Sequence, residues 1–199
     1  MDNQSSNFTQ RERREIRRHE QRAQSETARK KQWLKRISIW GGSVVIVGGL
    51  TYLFVGSAQK TEENRPGEPF PIQGRDHIAV GAQHEPYRSN PPTSGSHYAQ
   101  PADWGVYEQE LPDEQLIHNL EHGGIWISYK DIDQDTKDKL GALGRRYSQS
   151  VIVTPRAKDD ARITLASWGR LQKFEQYDEA SIIKFITANK NNSPESLAK

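Results

Sequence analysis

The residues best suited to chemistry are histidines, five of which fall between residues 77 and 122. The sharpest local pattern is the sequence HNLEH at residues 118–122, an H-x-x-E-H motif. On a helix, His118 and His122 are four residues apart on one face, with Glu121 beside them. This spacing lets two imidazoles bind one metal ion. It is also the pattern in which a zinc peptidase uses the glutamate as its general base.

Two further histidines precede the motif and can join it across the fold. His97 ends the sequence PPTSGSH and His77 ends GRDH, whereas His84 lies in an AQHEPY turn and is the weaker candidate. The chain has no cysteine and one methionine, so a metal site here would use nitrogen and oxygen donors. Such donors suit a divalent ion, with Zn²⁺ or Cu²⁺ favoured and Mn²⁺ or Fe²⁺ also open. The predicted metal ligands are His97, His118 and His122, with His77 or Glu121 completing or orienting the set.

Two other interpretations of the histidines remain open. In the first, the domain is a zinc-dependent hydrolase in which Glu121 is the catalytic base; it needs a third ligand, for which Glu175 and Glu179 are available. In the second, the domain is a metal-free interaction module of the cell envelope, and His118 and His122 only make hydrogen bonds that stabilise loops. An enzyme is the less favoured class.

The charge distribution divides the chain of 199 residues into unlike parts. Residues 1–36 carry 11 Lys/Arg and 5 Asp/Glu, whereas residues 56–199 carry 17 and 21. Only the first part is basic, which argues against nucleic acid as a partner of the whole chain. The sequence between them, residues 37–55, contains no charged side chain.

The uncharged run predicts a transmembrane helix. Its 19 residues span about 28 Å as a helix, close to the hydrocarbon thickness of a bilayer. Basic residues precede the run, so the positive-inside rule predicts a cytoplasmic N-terminus and an extracytoplasmic C-terminal domain in the cell membrane. A cleaved signal peptide ending near Ala58 is the alternative. It is disfavoured because the basic region and the apolar run are both too long.

The basic arm lacks an apolar stripe and cannot form a core of its own. Its lysines and arginines either set the topology or, over residues 11–36, contact anionic lipid headgroups. The favoured interpretation is that these basic residues only set the membrane topology. The bilayer is thus the predicted partner, and protein partners stay unspecified.

The C-terminal part predicts one small α+β domain. A polar, proline-containing linker covers residues 56–69, the domain covers 70–190, and residues 191–199 are a tail. The first half of the domain is rich in Gly, Pro, Ser and Asn, which predicts loops and short strands. In the second half, Pro112 and Asp113 predict the start of a helix and Gly123 its end, and apolar runs predict strands at residues 125–129, 151–155 and 162–168. This alternation of strands with amphipathic helices predicts a small mixed sheet with helices packed on it.

Four sequence stretches, taken in order, resemble the domain of unknown function 3105 family: PPTSGSHY (91–98), WGVY (104–107), HNLEHGG (118–124) and ITLASWGR (163–170). The resemblance covers about residues 70–190. It implies a bacterial or archaeal protein, in many members with one N-terminal membrane helix, but no particular activity. It also draws attention to five side chains at motif positions: His77, His97, His118, Glu121 and His122.

Overall fold

The computed structural model describes residues 64–198 together with three single residues, Trp33, Gly49 and Thr51. The chain divides into two compact units, Met1–Glu63 and Asn64–Lys199. The histidine-rich part of the sequence lies in the second unit.

The predicted cytoplasmic arm and transmembrane helix, residues 1–36 and 37–55, lie outside the described residues apart from those three. Within the described part of the chain, no helix combines the length and the apolar character needed to cross a bilayer.

The second unit contains eight strands and three helices. In chain order they are β1 (Glu68–Pro69), β2 (His77–Ile78), β3 (His97–Tyr98), β4 (Gly105–Val106), α1 (Asp113–Glu121), β5 (Ile125–Tyr129), α2 (Gln134–Arg146), β6 (Val151–Pro155), β7 (Ile163–Ser167), β8 (Arg170–Phe174) and α3 (Glu179–Asn189).

Six of the strands form one mixed sheet in the order β1-β8-β7-β5-β6-β4. Strand β6 is parallel to both β5 and β4. Strand β7 is antiparallel to β5 and β8, and β1 pairs antiparallel with β8. The remaining strands, β2 and β3, form a separate parallel pair. The predicted α+β class with a mixed sheet is therefore confirmed.

The sheet has a core on each face because successive side chains of a strand point to opposite sides. In β5, Ile125 and Ile127 join the core that includes Leu140 of α2 and Phe185 of α3. Trp126, between them, joins the opposite core with the apolar side of α1. Helices α2 and α3 thus cover one face of the sheet, and α1 covers the other.

The apolar face of α1 fixes which way its polar face points. Leu116, Ile117 and Leu120 are fully buried in the second core. The polar side of the helix is consequently turned toward the loop-rich first half of the domain, where β2 and β3 lie. The helix ends where the sequence predicts: Gly123 follows it with φ of +88°, a left-handed conformation that suits glycine.

Candidate metal centre

The parallel pair β2–β3 brings the two upstream histidines side by side. His77 and His97 are partners in its register. The pairing continues in backbone hydrogen bonds from His97 N–H to the Asp76 carbonyl (3.0 Å) and from Gly95 N–H to the Gly74 carbonyl (3.1 Å). Two residues that are far apart in sequence therefore occupy adjacent places beside α1.

The PPTSGSH loop holds the His97 ring in one orientation. Nδ1 of His97 lies 2.7 Å from the Gly95 carbonyl oxygen. Because a carbonyl can only accept, Nδ1 carries the proton, and the lone pair of the neutral ring is on Nε2. Gly95 has φ of +127°, and a Cβ there would lie 2.9 Å from the Tyr87 ring. The Tyr87 hydroxyl in turn donates to the Ser96 carbonyl at 2.6 Å.

Helix α1 is anchored to this half of the domain by Asn119. Its side-chain oxygen accepts from Ala102 N–H and its amide donates to the Ala102 carbonyl, both at 2.9 Å. Asn119 is 2% exposed. Asn119 thus fixes the position of α1 along its axis and its rotation relative to the loops. It thereby also fixes where the side chains next to Asn119 point.

His118 is oriented in the same way as His97. Its Nδ1 atom donates to the Tyr98 carbonyl at 2.7 Å, which places the lone pair on Nε2, 3.1 Å from Nε2 of His122. Burial lowers the pKa of His118, and the neighbouring histidines His122, His97 and His77 lower it further, against the opposing effect of the Tyr98 hydrogen bond. The neutral form, which is the one that binds a metal, is therefore favoured.

Four side chains converge on one point. His77, His97, His118 and Glu121 each offer a ligand atom, and these atoms all lie within 4.8 Å of one another. Oε2 of Glu121 is 3.0 Å from Nε2 of His97 and 3.7 Å from Nε2 of His77. The site has a closed and an open side. The side chains of His97 and Glu121 are 0% and 4% exposed, whereas that of His77 is 51% exposed.

The lone pairs and the negative charge that face each other in this group favour a bound cation. With the proton on Nδ1, neutral His97 directs the Nε2 lone pair at a carboxylate oxygen 3.0 Å away. Two acceptors in contact in a buried site repel each other unless a proton or a metal ion lies between them. An imidazole whose Nδ1–H is held by a backbone carbonyl while Nε2 faces inward is also the usual arrangement around a bound metal.

The donor set fits a first-row transition metal. It consists of three imidazole nitrogens and one carboxylate oxygen, without sulfur. Two ligands on one tetrahedral ion with bonds of 2.0–2.1 Å are about 3.3 Å apart. The distances from Glu121 Oε2 to the two nitrogens, 3.0 and 3.7 Å, fall on either side of that value.

His122 lies at the edge of the group rather than in it. Its Nε2 atom is 3.1 Å from Nε2 of His118, so the i,i+4 pair does meet, as its helical spacing predicts. The same Nε2 atom is 3.1 Å from Oε2 of Glu195, in the segment after α3. His122 is not among the four residues whose ligand atoms lie within 4.8 Å of one another.

The other candidates from the sequence lie elsewhere. His84 faces Glu114 at 3.3 Å, near the start of α1. Glu175 lines a depression beside Tyr177, and Glu179 begins α3. Among the described residues, neither glutamate belongs to the histidine group.

Sequence reasoning missed the residues that support the site. Asn119 lies inside the HNLEH motif, but its bonds to Ala102 depend on how the loop folds back. Glu195 lies in the predicted tail, where no local pattern distinguishes it. The carbonyls of Gly95 and Tyr98 carry no side-chain signal at all.

The comparisons with known proteins identify the chain at the level of a family. It belongs to the family described as "Protein of unknown function (DUF3105)", whose profile matches residues 80–199. The predicted resemblance is thereby confirmed. His97, His118, Glu121 and His122 lie within the matched residues, and His77 precedes them. Neither the curated proteins nor the solved structures gave a match.

Proposed function

We propose that the domain binds a divalent transition-metal ion through His77, His97, His118 and Glu121. The observation that carries the proposal is the orientation of the two inner rings. His97 and His118 each commit Nδ1–H to a backbone carbonyl at 2.7 Å and offer Nε2 as a lone-pair donor. With Glu121 and His77 beside them, these atoms form a donor set selective for Zn²⁺, Cu²⁺ or a related ion over Mg²⁺ and Ca²⁺.

The alternative that the histidines only stabilise loops is less well supported. Structural histidines pair a donor with an acceptor. Here the contact of His97 Nε2 with Glu121 Oε2 joins two acceptors in the neutral state. In a metal-free module, this contact becomes a hydrogen bond only if His97 carries a second proton on Nε2.

A hydrolytic role would require Glu121 to lie beside the metal as a base. Its Oε2 atom is instead one of the four mutually close ligand atoms. Substitution by glutamine distinguishes the two roles. If Glu121 is a base, the variant keeps the ion and loses turnover; if Glu121 is a ligand, the variant loses the ion. We expect Glu121→Gln to weaken metal binding at least tenfold.

Metal content tests the proposal directly. The untagged full-length protein is purified in detergent, dialysed against each ion in turn and analysed by mass spectrometry for bound metal. We expect about one ion per chain, and loss of that ion in His97→Ala and in His118→Ala. His84→Ala is the matched control, since it removes a histidine of the same domain that pairs with Glu114 outside the group. Equal metal content in all four proteins would contradict the proposal.

We also propose that residues 37–55 anchor the protein in the cell membrane with the domain outside. The support comes from the sequence: a 19-residue run without charge, preceded by a basic arm. The absence of cysteine allows a clean test. A membrane-impermeant maleimide should label Ala142→Cys, exposed on α2, in intact cells, but Ser25→Cys only after lysis. The opposite pattern, or labelling of both in intact cells, would contradict this topology.

A further inference from the structure

The outermost of the four ligands is carried by a segment that lies apart from both cores. Residues 74–83, here called the strap, contain β2 and with it His77. The structure describes all of these residues, and none of them is buried; Val80 is 83% exposed. Among the described residues that form the two apolar cores, none comes from the strap. The hydrophobic effect, which stabilises the rest of the domain, therefore contributes little to the strap.

A few hydrogen bonds attach the strap to the residues beneath it. Two of its carbonyl oxygens accept from the N–H groups of Gly95 and His97, at 3.1 and 3.0 Å. Gly81 N–H lies 3.4 Å from the Tyr98 hydroxyl, which is a long contact. Strand β2 pairs with β3 over two residues, and this pair is separate from the six-stranded sheet. Because so short a pair is marginal in water, these bonds alone give the strap little stability against local opening.

Both ends of the strap are fixed. Before it, Gln73 N–H donates to Ser94 Oγ and the Gln73 side chain donates to the Pro86 carbonyl, both at 3.0 Å. After it, Nε2 of His84 lies 3.3 Å from a carboxylate oxygen of Glu114. These attachments confine opening to the residues between them. The strap can therefore leave its place and return to it without unfolding of the domain.

The three other ligands belong to a much more stable part of the domain. The side chains of His97 and Glu121 are 0% and 4% exposed, and His118 lies on α1, whose apolar face is in the second core. The ring of His77 lies parallel to that of His118, with 5.0 Å between their centroids, and its side chain is 51% exposed. An ion in this group thus has three ligands from the buried interior and one from the strap.

Resting on the proposed metal function, we propose that the ion controls the strap: an ion on the three inner ligands binds His77 and holds the strap closed, and its loss leaves the strap free to open. A ligand shifts a conformational equilibrium by the ratio of its affinities for the two states. Here the ion has four protein ligands when the strap is closed and three when it is open. Occupancy of the buried site thereby determines the order of an exposed segment.

Hydrogen exchange of the full-length protein in detergent, followed by mass spectrometry, tests the inference. Exchange is measured with EDTA and again with saturating Zn²⁺, at short times that report local opening. We expect Zn²⁺ to slow exchange in residues 74–83 by about tenfold or more, since loss of a group that only supports a ligand already weakens metal binding by that order. Helix α2, on the other face of the sheet, is the internal control and should not respond at these times.

Three variants separate coordination by His77 from general stabilisation. His77→Ala should still bind Zn²⁺ through the three inner ligands, but its strap should exchange at the same rate with and without the ion. His77→Glu, which offers a carboxylate oxygen of similar reach, should restore at least part of the response. Arg75→Ala is the matched control, because it alters an exposed strap residue outside the ligand group, and it should keep the full response.

The two measurements on His77 are also linked in size. The factor by which Zn²⁺ slows strap exchange in the unaltered protein equals the ratio of its affinities for the closed and open states. The open state and His77→Ala hold the ion with the same three ligands. We therefore expect that factor to match, in order of magnitude, the factor by which His77→Ala raises the Kd for Zn²⁺.

The outcomes distinguish this inference from the proposed function. If the unaltered protein binds no Zn²⁺, both fail. If it binds Zn²⁺ but the strap exchanges equally with and without the ion, the metal site stands and its control of the strap is refuted. Slowing that persists in His77→Ala, or that is equally large in α2, would likewise refute it. Loss of all Zn²⁺ binding in His77→Ala would contradict the open state with three ligands, on which the inference depends.

Discussion

Replacing Glu121 with glutamine should change stability in opposite directions with and without metal. Glu121 is 3% exposed, and its Oε2 atom lies 3.0 Å from the Nε2 lone pair of His97. Glutamine has the same shape and can turn an N–H toward that lone pair. In the metal-free protein, the substitution thus exchanges a contact between two acceptors for a hydrogen bond.

The size of each effect follows from ordinary magnitudes. A neutral hydrogen bond contributes about 1 kcal/mol net, so the free energy of unfolding of metal-free Glu121→Gln should rise by about that amount. For a domain of this size the gain corresponds to a Tm increase of roughly 3–5 °C. A metal ion at a hundred times its Kd stabilises the unaltered protein by about 2.7 kcal/mol. When a neutral amide replaces the anionic ligand, a tenfold weaker Kd removes about half of that stabilisation, and a hundredfold weaker Kd removes most of it.

Urea unfolding with EDTA and again with saturating Zn²⁺ tests this crossover. The variant should be more stable than the unaltered protein with EDTA and less stable with Zn²⁺. Glu114→Gln is the matched control, a glutamate of the same helix that pairs with His84 outside the group. It should show no crossover.

The opposite result would refute the reasoning. If His97 carries a second proton, its contact with Glu121 is a charge-assisted hydrogen bond, and the variant loses about 1.5–3 kcal/mol without metal. A destabilised metal-free variant together with no response to Zn²⁺ would establish the pair as a structural ion pair.

Chelation, the Asn119 anchor and the cap of α3 each lead to a further prediction. Removing the ion with EDTA should lower the Tm of the protein loaded at a hundred times Kd by about 10 °C in differential scanning calorimetry, and an unchanged Tm would argue against a bound ion. Asn119→Ala should cost roughly 2–3 kcal/mol in urea unfolding, because buried backbone groups of Ala102 lose their partners; a cost near zero would mean that the loop is held otherwise. Hydrogen bonds from Ser181 lower the pKa of Asp178, so this cap of α3 stabilises the fold above about pH 4 and loses that effect as the pH falls through its folded pKa. Asp178→Ala should accordingly lower the Tm at pH 7, and by progressively less as the pH falls below about 4; a deficit that does not change with pH would contradict the assignment.

Local patterns in the sequence were sufficient for most of the secondary structure. Pro112 and Asp113 predict the start of α1 and Gly123 predicts its end, in agreement with the helix observed at Asp113–Glu121. The strands predicted from apolar runs, β5, β6 and β7, are confirmed as well. Their patterns are clear because each strand is buried on both faces of the sheet. The sequence does not predict strand β8, because Lys173 is exposed and its neighbours are half-buried, so the strand lacks a continuous apolar run.

The i,i+4 spacing also predicted that the side chains of His118 and His122 meet. Their Nε2 atoms lie 3.1 Å apart, and they can approach because residues four apart lie on one face of a helix. Composition by itself limited the available donors to nitrogen and oxygen, because the chain has no cysteine and its one methionine is the first residue.

Tertiary structure decided which of these residues act together. His77 and His97 meet because β2 and β3 pair in parallel, a register that depends on the folding of a loop-rich segment without strong propensities. The segment 191–198, predicted as a tail, instead returns to the end of α1 and places Glu195 against His122. Sequence spacing specifies neighbours within one helix, where the backbone fixes the distances. Contacts between segments depend on how the loops close and how the two cores pack, and these decide that His122 faces Glu195 while His97 faces Glu121.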